Sequence, residues 1–545
     1  MEDFYARFMN GSARFSTRAE MSGAGLFDAT GPMVGFYGNK PIYAPGDSPI
    51  ITFGPSGVGK GTSVIAYNVC GHPDRRGRWH TPRRMVVNDP RGDQAKISWH
   101  MLIATGKAGY FINPGYLHGL PNHRVNPWAL INKASRTFHG DVKVFMSSFI
   151  PMASGEEKFF SARGRELSEA VVKTIAWHAP DNAVDAVTMP AFYEAVLSFE
   201  DQGAWDNFAE MMLNTPFPDV RGMAAEMDVK RRDVPKEWGG YISTLKEASS
   251  WLSDPDARYT VSASDFSMAV TCEQDCTVYV MVGAEKSASL GGLQRSIFTA
   301  GMLEKIRRPE APLVLFLMDE AAQFGKWELT PLIASYLRGQ GIRGWFFFQS
   351  PSQVADIYGP HMVSTLIANA GCRQFLPPRD IETATLMSRM CGTQTIEVDE
   401  PLNQDAARMQ RSQILRNLMA GADPLTSGIG YAQQDRASTH RKKQARLLMT
   451  PEENLQMPQD RQLLFMSGAE TLYPIYAHKH PYYTRPLMNG AALPNPFHPP
   501  KDKVRLAGKW LRKWAPVVTE PVPARLAHWP QYEDSVSYVK GYRPF

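Results

Sequence analysis

The short apolar stretch Ile50-Ile51-Thr52-Phe53 runs directly into Gly54-Pro55-Ser56-Gly57-Val58-Gly59-Lys60, and a helical pattern opens at the lysine. Few patterns restrict a fold so tightly. The spacing is G-x-x-x-x-G-K, and strand, loop and helix in that order give it a mechanism. Glycines let backbone N–H groups curl around phosphate oxygens, the helix N-terminus adds its positive dipole end, and the lysine reaches the outer phosphates. Residues 54–62 are therefore expected to hold the phosphates of ATP. One position departs from the usual pattern. Where a Ser or Thr hydroxyl ordinarily meets Mg²⁺, this chain has Gly61, and the hydroxyl comes one residue later at Thr62. Either Thr62 holds the metal in an altered geometry, or other groups and water do.

A second constraint lies further along. Leu313-Val314-Leu315-Phe316-Leu317-Met318 is an uninterrupted apolar run that ends in Asp319-Glu320. A buried strand of this kind delivers Asp319 to the edge of the sheet, where it can hold Mg²⁺ through water. Glu320 can then polarise the water that attacks the γ-phosphate. The next apolar run, Trp345-Phe346-Phe347-Phe348, closes on Gln349, a polar residue placed to sense that phosphate. Arg338, in SYLRGQGIRG, is the candidate arginine for reaching a neighbouring subunit's ATP, with Arg343 as its competitor.

Strands are expected at residues 50–53, 84–88, 110–113, 277–282, 313–318, 343–348 and 372–376, with an amphipathic helix over 293–306. Strands alternating with helices argue for an α/β fold with a mostly parallel, doubly wound sheet. The pattern is interrupted from about residue 156, where Phe160, Leu167, Val171 and Ile175 fall at helical spacing. Helical texture persists to Trp251 and Leu252, broken at Pro180 and at residues 216–219. The expected organisation is a short N-terminal segment (1–48), a split nucleotide-binding domain (49–154 and 257–485), an inserted all-α domain (155–256) and a proline-rich tail (486–545). The tail carries a basic patch with Trp510 and Trp514, read as helical.

Charge follows the same division. The formal net charge of +5 is a near-cancellation: residues 155–256 carry −9, residues 501–514 carry +5, and the remainder +9. An acidic helical insertion suits basic cargo, while a basic remainder suits phosphate-bearing ligands. The basic tail suits a membrane face, nucleic acid or the acidic insertion. No apolar run approaches the ~20 residues of a spanning helix, and the N-terminus has no leader pattern. Five scattered cysteines are no disulfide framework and point to a reducing cytoplasm. Cys272 and Cys276 lack a second ligand pair, and His478 and His480 read as a surface segment. The run Arg441-Lys442-Lys443 with Arg436 and Arg446 reads as a solvated face or a phosphate contact.

Taken together, the blocks GFYGNKPI, GPSGVGKG, VNDPRGD, RVNPW, LMDEAAQFGKWELTPLIASYLRGQGIRGWFFFQSPSQVADIYG, ANAGCRQFLPPRDIETATLMS and LLMTPEENLQMPQDRQLLF, with His480-Pro481-Tyr482-Tyr483, resemble the TraG-type coupling proteins of conjugation and type IV secretion. The resemblance runs from Gly11 to about Pro486, and glycine after the loop lysine occurs in one branch of that family. It implies a RecA-like P-loop ATPase domain with an inserted all-α domain, acting as a homo-hexamer at the inner-membrane mouth of a secretion channel. The implied cofactors are ATP and Mg²⁺. Implied partners are a relaxase–DNA complex or protein effectors, single-stranded DNA and the channel ATPases. By position, Lys60, Asp319, Glu320 and Gln349 become the ATPase residues and Arg338 the trans arginine. Family members commonly begin with membrane-spanning helices, so this chain resembles the subclass without them: cytoplasmic, and recruited peripherally by a membrane-anchoring protein. Two other readings stay open at this point, a soluble DNA translocase and a nucleotide-switched substrate receptor.

Overall fold

The computed structural model describes residues 11–545 apart from 75–77, 154, 156, 182–184, 284, 287–288, 400, 422, 440, 469–472, 486–487, 489–491, 494, 498–502, 508–511, 517, 521–537 and 541–545. The chain forms two compact units, the larger comprising residues 18–377, 458–472 and 477–545.

An eleven-stranded sheet organises the larger unit. In chain order its strands are β1 (Met33–Tyr37), β2 (Lys40–Tyr43), β3 (Ile50–Phe53), β4 (Met85–Asn88), β5 (Ala108–Ile112), β6 (Cys276–Val280), β7 (Val314–Met318), β8 (Ile342–Phe348), β9 (Cys372–Phe375), β10 (Arg461–Met466) and β11 (Ile475–His478). Their spatial order is β2-β1-β11-β10-β9-β3-β8-β7-β4-β6-β5. The block from β9 to β5 is parallel, whereas β10 pairs antiparallel with β9, and β1 with β2. Every residue of β3, β4, β7 and β8 is buried, as continuous apolar runs require when both faces of a parallel sheet are covered. Register positions the site. Phe53 pairs with Phe348, Phe346 with Met318, and Met318 with Asn88, so the loops after β3, β8, β7 and β4 leave from one edge. A single strand, β8, separates the glycine-rich loop's strand from the acidic one.

A polar ladder crosses the middle of this apolar sheet. Trp345 Nε1 donates to Thr52 Oγ1 (2.9 Å), Thr52 Oγ1 to Gln374 Oε1 (2.6 Å), and Gln374 Nε2 to Gln462 Oε1 and Val34 O (2.7 Å each). All four side chains are fully buried.

Helix α1 (Ala66–Val69) follows the loop, α2 (Asp93–Ala104) follows β4, and α3 (Phe138–Phe149) leads into a helical segment. That segment comprises α4 (Glu157–His178), α5 (Met189–Ser198), α6 (Gln202–Leu213), α7 (Pro218–Asp233), α8 (Pro235–Ser249) and α9 (Pro255–Thr260). Its starts are set locally: Thr188, Asp201 and Asp254 accept backbone N–H groups at the N-termini of α5, α6 and α9, and proline occupies the first turn of α5, α7, α8 and α9. Its core gathers Phe199, Trp205, Phe208, Met212 and Leu245.

Two expectations are corrected. The helix over 293–306, α10 (Gly291–Arg307), is not amphipathic: buried residues occupy all of its faces. Phe298 meets Phe316 on one side, while Arg295 donates to Ser148 O (2.6 Å) and Phe324 O (2.7 Å) on others, so polar positions that read as solvent-facing are bonded internally. In the tail, residues 503–507 and 512–516 form an antiparallel strand pair rather than a helix. The Lys-Val-Arg-Leu alternation has the period of two that a strand needs. Trp510 lies outside the described residues, as do Pro494, Pro499, Pro500, Pro521 and Pro523.

The smaller unit comprises residues 1–17, 378–457 and 473–476. Helix α11 (Ile381–Cys391) leads into a two-stranded antiparallel ribbon, Thr393–Asp399 with Arg441–Leu447, whose strands are joined through the helices Pro401–Met419 and Pro424–Thr439. Pro451–Leu455 starts with a capping box between Thr450 and Glu453. Among the described residues no helix is long and apolar enough to cross a membrane.

Candidate functional site

The loop leaves β3 with Gly54 N–H bonded to Phe348 O (3.0 Å), which ties it to the neighbouring strand. Gly57 and Gly59 have φ of 82° and 89°, values that side chains avoid. Ser63 N–H reaches Gly59 O at 2.8 Å, so winding begins at once. Residues Gly61–Ile65 make a π-helical turn before α1, a local widening that recurs at functional sites. Thr62 Oγ1 lies near the loop, 3.3 Å from where a Cβ on Gly59 would stand.

Three of the expected residues form a connected chain. Lys60 Nζ lies 3.3 Å from Glu320 Oε2, and Gln349 Nε2 donates to Glu320 Oε1 at 2.9 Å. Glu320 itself takes φ 63° and ψ 61°, a left-handed conformation that costs a non-glycine residue on the order of 1–3 kcal/mol. That turn redirects its carboxylate toward the loop. Gln353, absent from the sequence reading, donates to the same Glu320 Oε1 (3.4 Å) and accepts the Gln349 N–H (2.9 Å).

Asp319 ends β7 beside this chain. Asn88 Nδ2 donates to its carbonyl (3.0 Å), and Gln294 Nε2 in turn holds Asn88 Oδ1 (2.9 Å). Part of Asp319 still meets solvent, yet desolvation raises its carboxyl to about 6; Lys60 opposes that shift, and the charges of Glu320 and Asp93 reinforce it. Asp89 is wholly buried, with Oδ2 accepting Ala95 N–H at 2.8 Å. Burial first, then Asp93 and Asp319, holds its carboxyl well above the usual range. Four carboxylates, those of Asp89, Asp93, Asp319 and Glu320, thus gather along this edge, with Glu320 the one paired to Lys60.

Lys479 is a further residue that sequence reasoning missed. It is 3% exposed, donates its Nζ to Val58 O inside the loop, and is pushed down to about 8, chiefly by burial. A basic His-Lys-His stretch reads as surface; only the placement of β11 beside β1 brings it here.

Arg338 is not brought to this cluster. It is exposed, just ahead of β8, and donates to Ser48 Oγ (3.2 Å) at the opposite edge of the sheet, about 20 Å away by the seven-residue length of β8. Arg343 is buried and spent on backbone carbonyls of Ser48 (2.9 Å) and Ala44 (3.0 Å), which rules it out as a mobile arginine. The five cysteines are buried and free, and among the described residues no three His, Cys, Asp or Glu side chains are disposed to hold a metal by themselves.

The arrangement suits a phosphate chain on the loop, a hard cation near Asp319 and Thr62, and a water oriented by Glu320. Comparison with known proteins is concordant. The family model described as "Type IV secretory system Conjugative DNA transfer" matches residues 12–420 and 426–504. A "Probable conjugal transfer protein TraG" of Sinorhizobium fredii is 27% identical over 241 residues, covering 43% of this chain and 33% of that protein. The "Conjugal transfer protein TraG" of Escherichia coli is 22% identical over 548 residues, covering 90% and 79%. This chain spans 33%, 53% and 36% of the length of the TraG proteins it matches from Sinorhizobium, Rhizobium and Agrobacterium. Among solved structures, "Plasmid coupling protein TrwB in complex with ADP and Mg2+" superposes with a TM-score of 0.55 at 16% identity, over 86% of this chain and 94% of that one. That likeness shows the fold: a RecA-like α/β domain carrying a helical segment.

Proposed function

The chain belongs to the type IV secretory system conjugative DNA transfer family, and on that premise we propose that it is a coupling ATPase, delivering relaxase–DNA or protein cargo to a secretion channel. The observation that carries this reading is the connected chain Lys60–Glu320–Gln349 at the mouth of the glycine-rich loop, with Asp319 beside it. In the reaction, residues 54–61 cradle the phosphates through backbone N–H groups. Lys60 leaves Glu320 for the β- and γ-phosphate oxygens, which frees the Glu320 carboxylate to orient the attacking water. Gln349, bonded to that carboxylate, reads the γ-phosphate. Thr62 and Asp319 are the residues that would hold Mg²⁺, whose charge stabilises the transferring phosphoryl group.

Arg338, exposed and away from its own cluster, is assigned to a neighbouring subunit's site in a homo-hexameric working form. The helical segment, acidic over residues 155–256, is assigned to receiving basic cargo, and single-stranded DNA is the nucleic acid moved. Membrane attachment is assigned to a partner protein, giving peripheral recruitment from the cytoplasm. The reading is tested by replacing Lys60 with Ala in the native host and measuring DNA or effector transfer. Transfer is expected to fall to background with protein abundance unchanged; undiminished transfer would overturn the assignment.

A further inference from the structure

We infer that Gln94 supplies the metal-binding oxygen that Gly61 lacks. In loops ending G-K-[ST], the side chain after the lysine carries a hydroxyl to Mg²⁺. Here a Cβ built on Gly61 would stand 2.8 Å from Gln94 Nε2, nearer than a real Cβ approaches, and 3.7 Å from its Cδ, in ordinary contact. The carboxamide of Gln94 therefore fills the place a Ser or Thr side chain would take. One polar group fits between the two positions, and in this chain it comes from α2 instead of the loop.

The second observation is independent of that geometry. Gln94 is 1% exposed, and its Oε1 has no hydrogen-bond partner in the fold. Buried acceptors are almost always satisfied, so an unpartnered one on a carboxamide that abuts a phosphate loop signals a ligand, although here the nitrogen of that carboxamide faces Gly61. Its backbone is fixed from several sides: Ser98 Oγ donates to Gln94 O (2.6 Å) and also bonds Tyr279 Oη (2.7 Å), while the adjacent Ala95 N–H is held by Asp89 Oδ2 (2.8 Å). The terminal amide alone remains adjustable, and a half-turn of it exchanges nitrogen for oxygen at the Gly61 side. A carboxamide oxygen is a neutral, hard donor like a hydroxyl, so the exchange preserves both the charge and the ligand type that Mg²⁺ selects. Asp319 and Asp93, whose charges already interact, supply the neighbouring negative field.

This inference rests on the nucleotide-site reading, and the experiment separates the two. Mn²⁺ serves as the paramagnetic stand-in for Mg²⁺; free Mn²⁺ is counted by EPR as it is titrated into the full chain with ADP. The chain is compared with Gln94→Ala, Gly61→Ser and the double variant, and ADP affinity is measured separately in EDTA. Gln94→Ala is expected to weaken Mn²⁺ binding to the ADP complex about tenfold while leaving metal-free ADP affinity unchanged. Gly61→Ser alone, crowded against Gln94, is expected to weaken it too. The double variant, with the hydroxyl restored and its space cleared, is expected to return to within about threefold of the unaltered chain. Rescue in the double variant also shows that the single losses are not misfolding. Unchanged Mn²⁺ affinity in Gln94→Ala, or a double variant no tighter than Gln94→Ala, overturns the inference while the nucleotide site stands. An unaltered chain that binds no ADP with or without metal overturns the site reading, and this inference with it.

Discussion

Lys60 and Glu320 stand 3.3 Å apart, so a phosphate arriving at the loop competes with a carboxylate for the same ammonium. On the proposed reading, loading the loop and releasing the carboxylate that orients water are one event. Asp319 is set differently, since burial raises its carboxyl from 3.8 to about 6. A carboxyl raised by folding stabilises the fold fully below pH 4 and loses that contribution as pH rises through 6. At neutral pH the ionised Asp319 is a cost to folding, which the cation binding proposed for it would offset. Asp319→Asn should therefore raise stability by on the order of 2 kcal/mol at pH 7.5 in EDTA, with the gain vanishing toward pH 4. Urea unfolding at the two pH values measures this, and a variant no more stable at pH 7.5 contradicts it. Lys60, Asp319, Glu320 and Gln349 were each legible from a local pattern, because strand, loop and polar terminus are adjacent in sequence. Gln94, Gln353 and Lys479 were not, because their partners lie 33 to 421 positions away and arise only from strand order.

At the level of elements, the apolar runs predicted the buried strands because a doubly covered parallel strand has no polar face to obscure it. The same logic misled at α10, where Arg295 and other polar residues are buried against backbone carbonyls, and in the tail, where a basic Trp-bearing segment imitated a helix. The strands β10 and β11 and the helical pair joining the ribbon of the smaller unit left no signal that was read. Nor did the Thr52–Gln374–Gln462 ladder, since buried glutamines in a strand look like exposed positions. Gln374 holds both β3 and β10 through this ladder. Gln374→Leu strips partners from Thr52 and Gln462 in a dry sheet, and is expected to cost about 2–4 kcal/mol. Denaturant midpoints measure that loss; a loss under about 0.5 kcal/mol would show the ladder to be incidental.

At the scale of the molecule, a formal charge of +5 conceals an acidic segment at residues 155–256 and a basic remainder, two portions of opposite sign that would favour different ligands. Cluster and exposed arginine occupy opposite edges of one sheet, so on the proposed reading Arg338 acts on a neighbouring subunit and turnover is expected to depend on association. Phosphate release from ATP by the full chain with Mg²⁺ and single-stranded DNA, across a range of protein concentrations and beside Glu320→Gln, brings these claims to one readout. Specific activity is expected to rise with protein concentration, and Glu320→Gln to lose at least about a hundredfold while still binding ADP. Equal turnover by the unaltered chain and Glu320→Gln would contradict the assignment of this site as an ATPase.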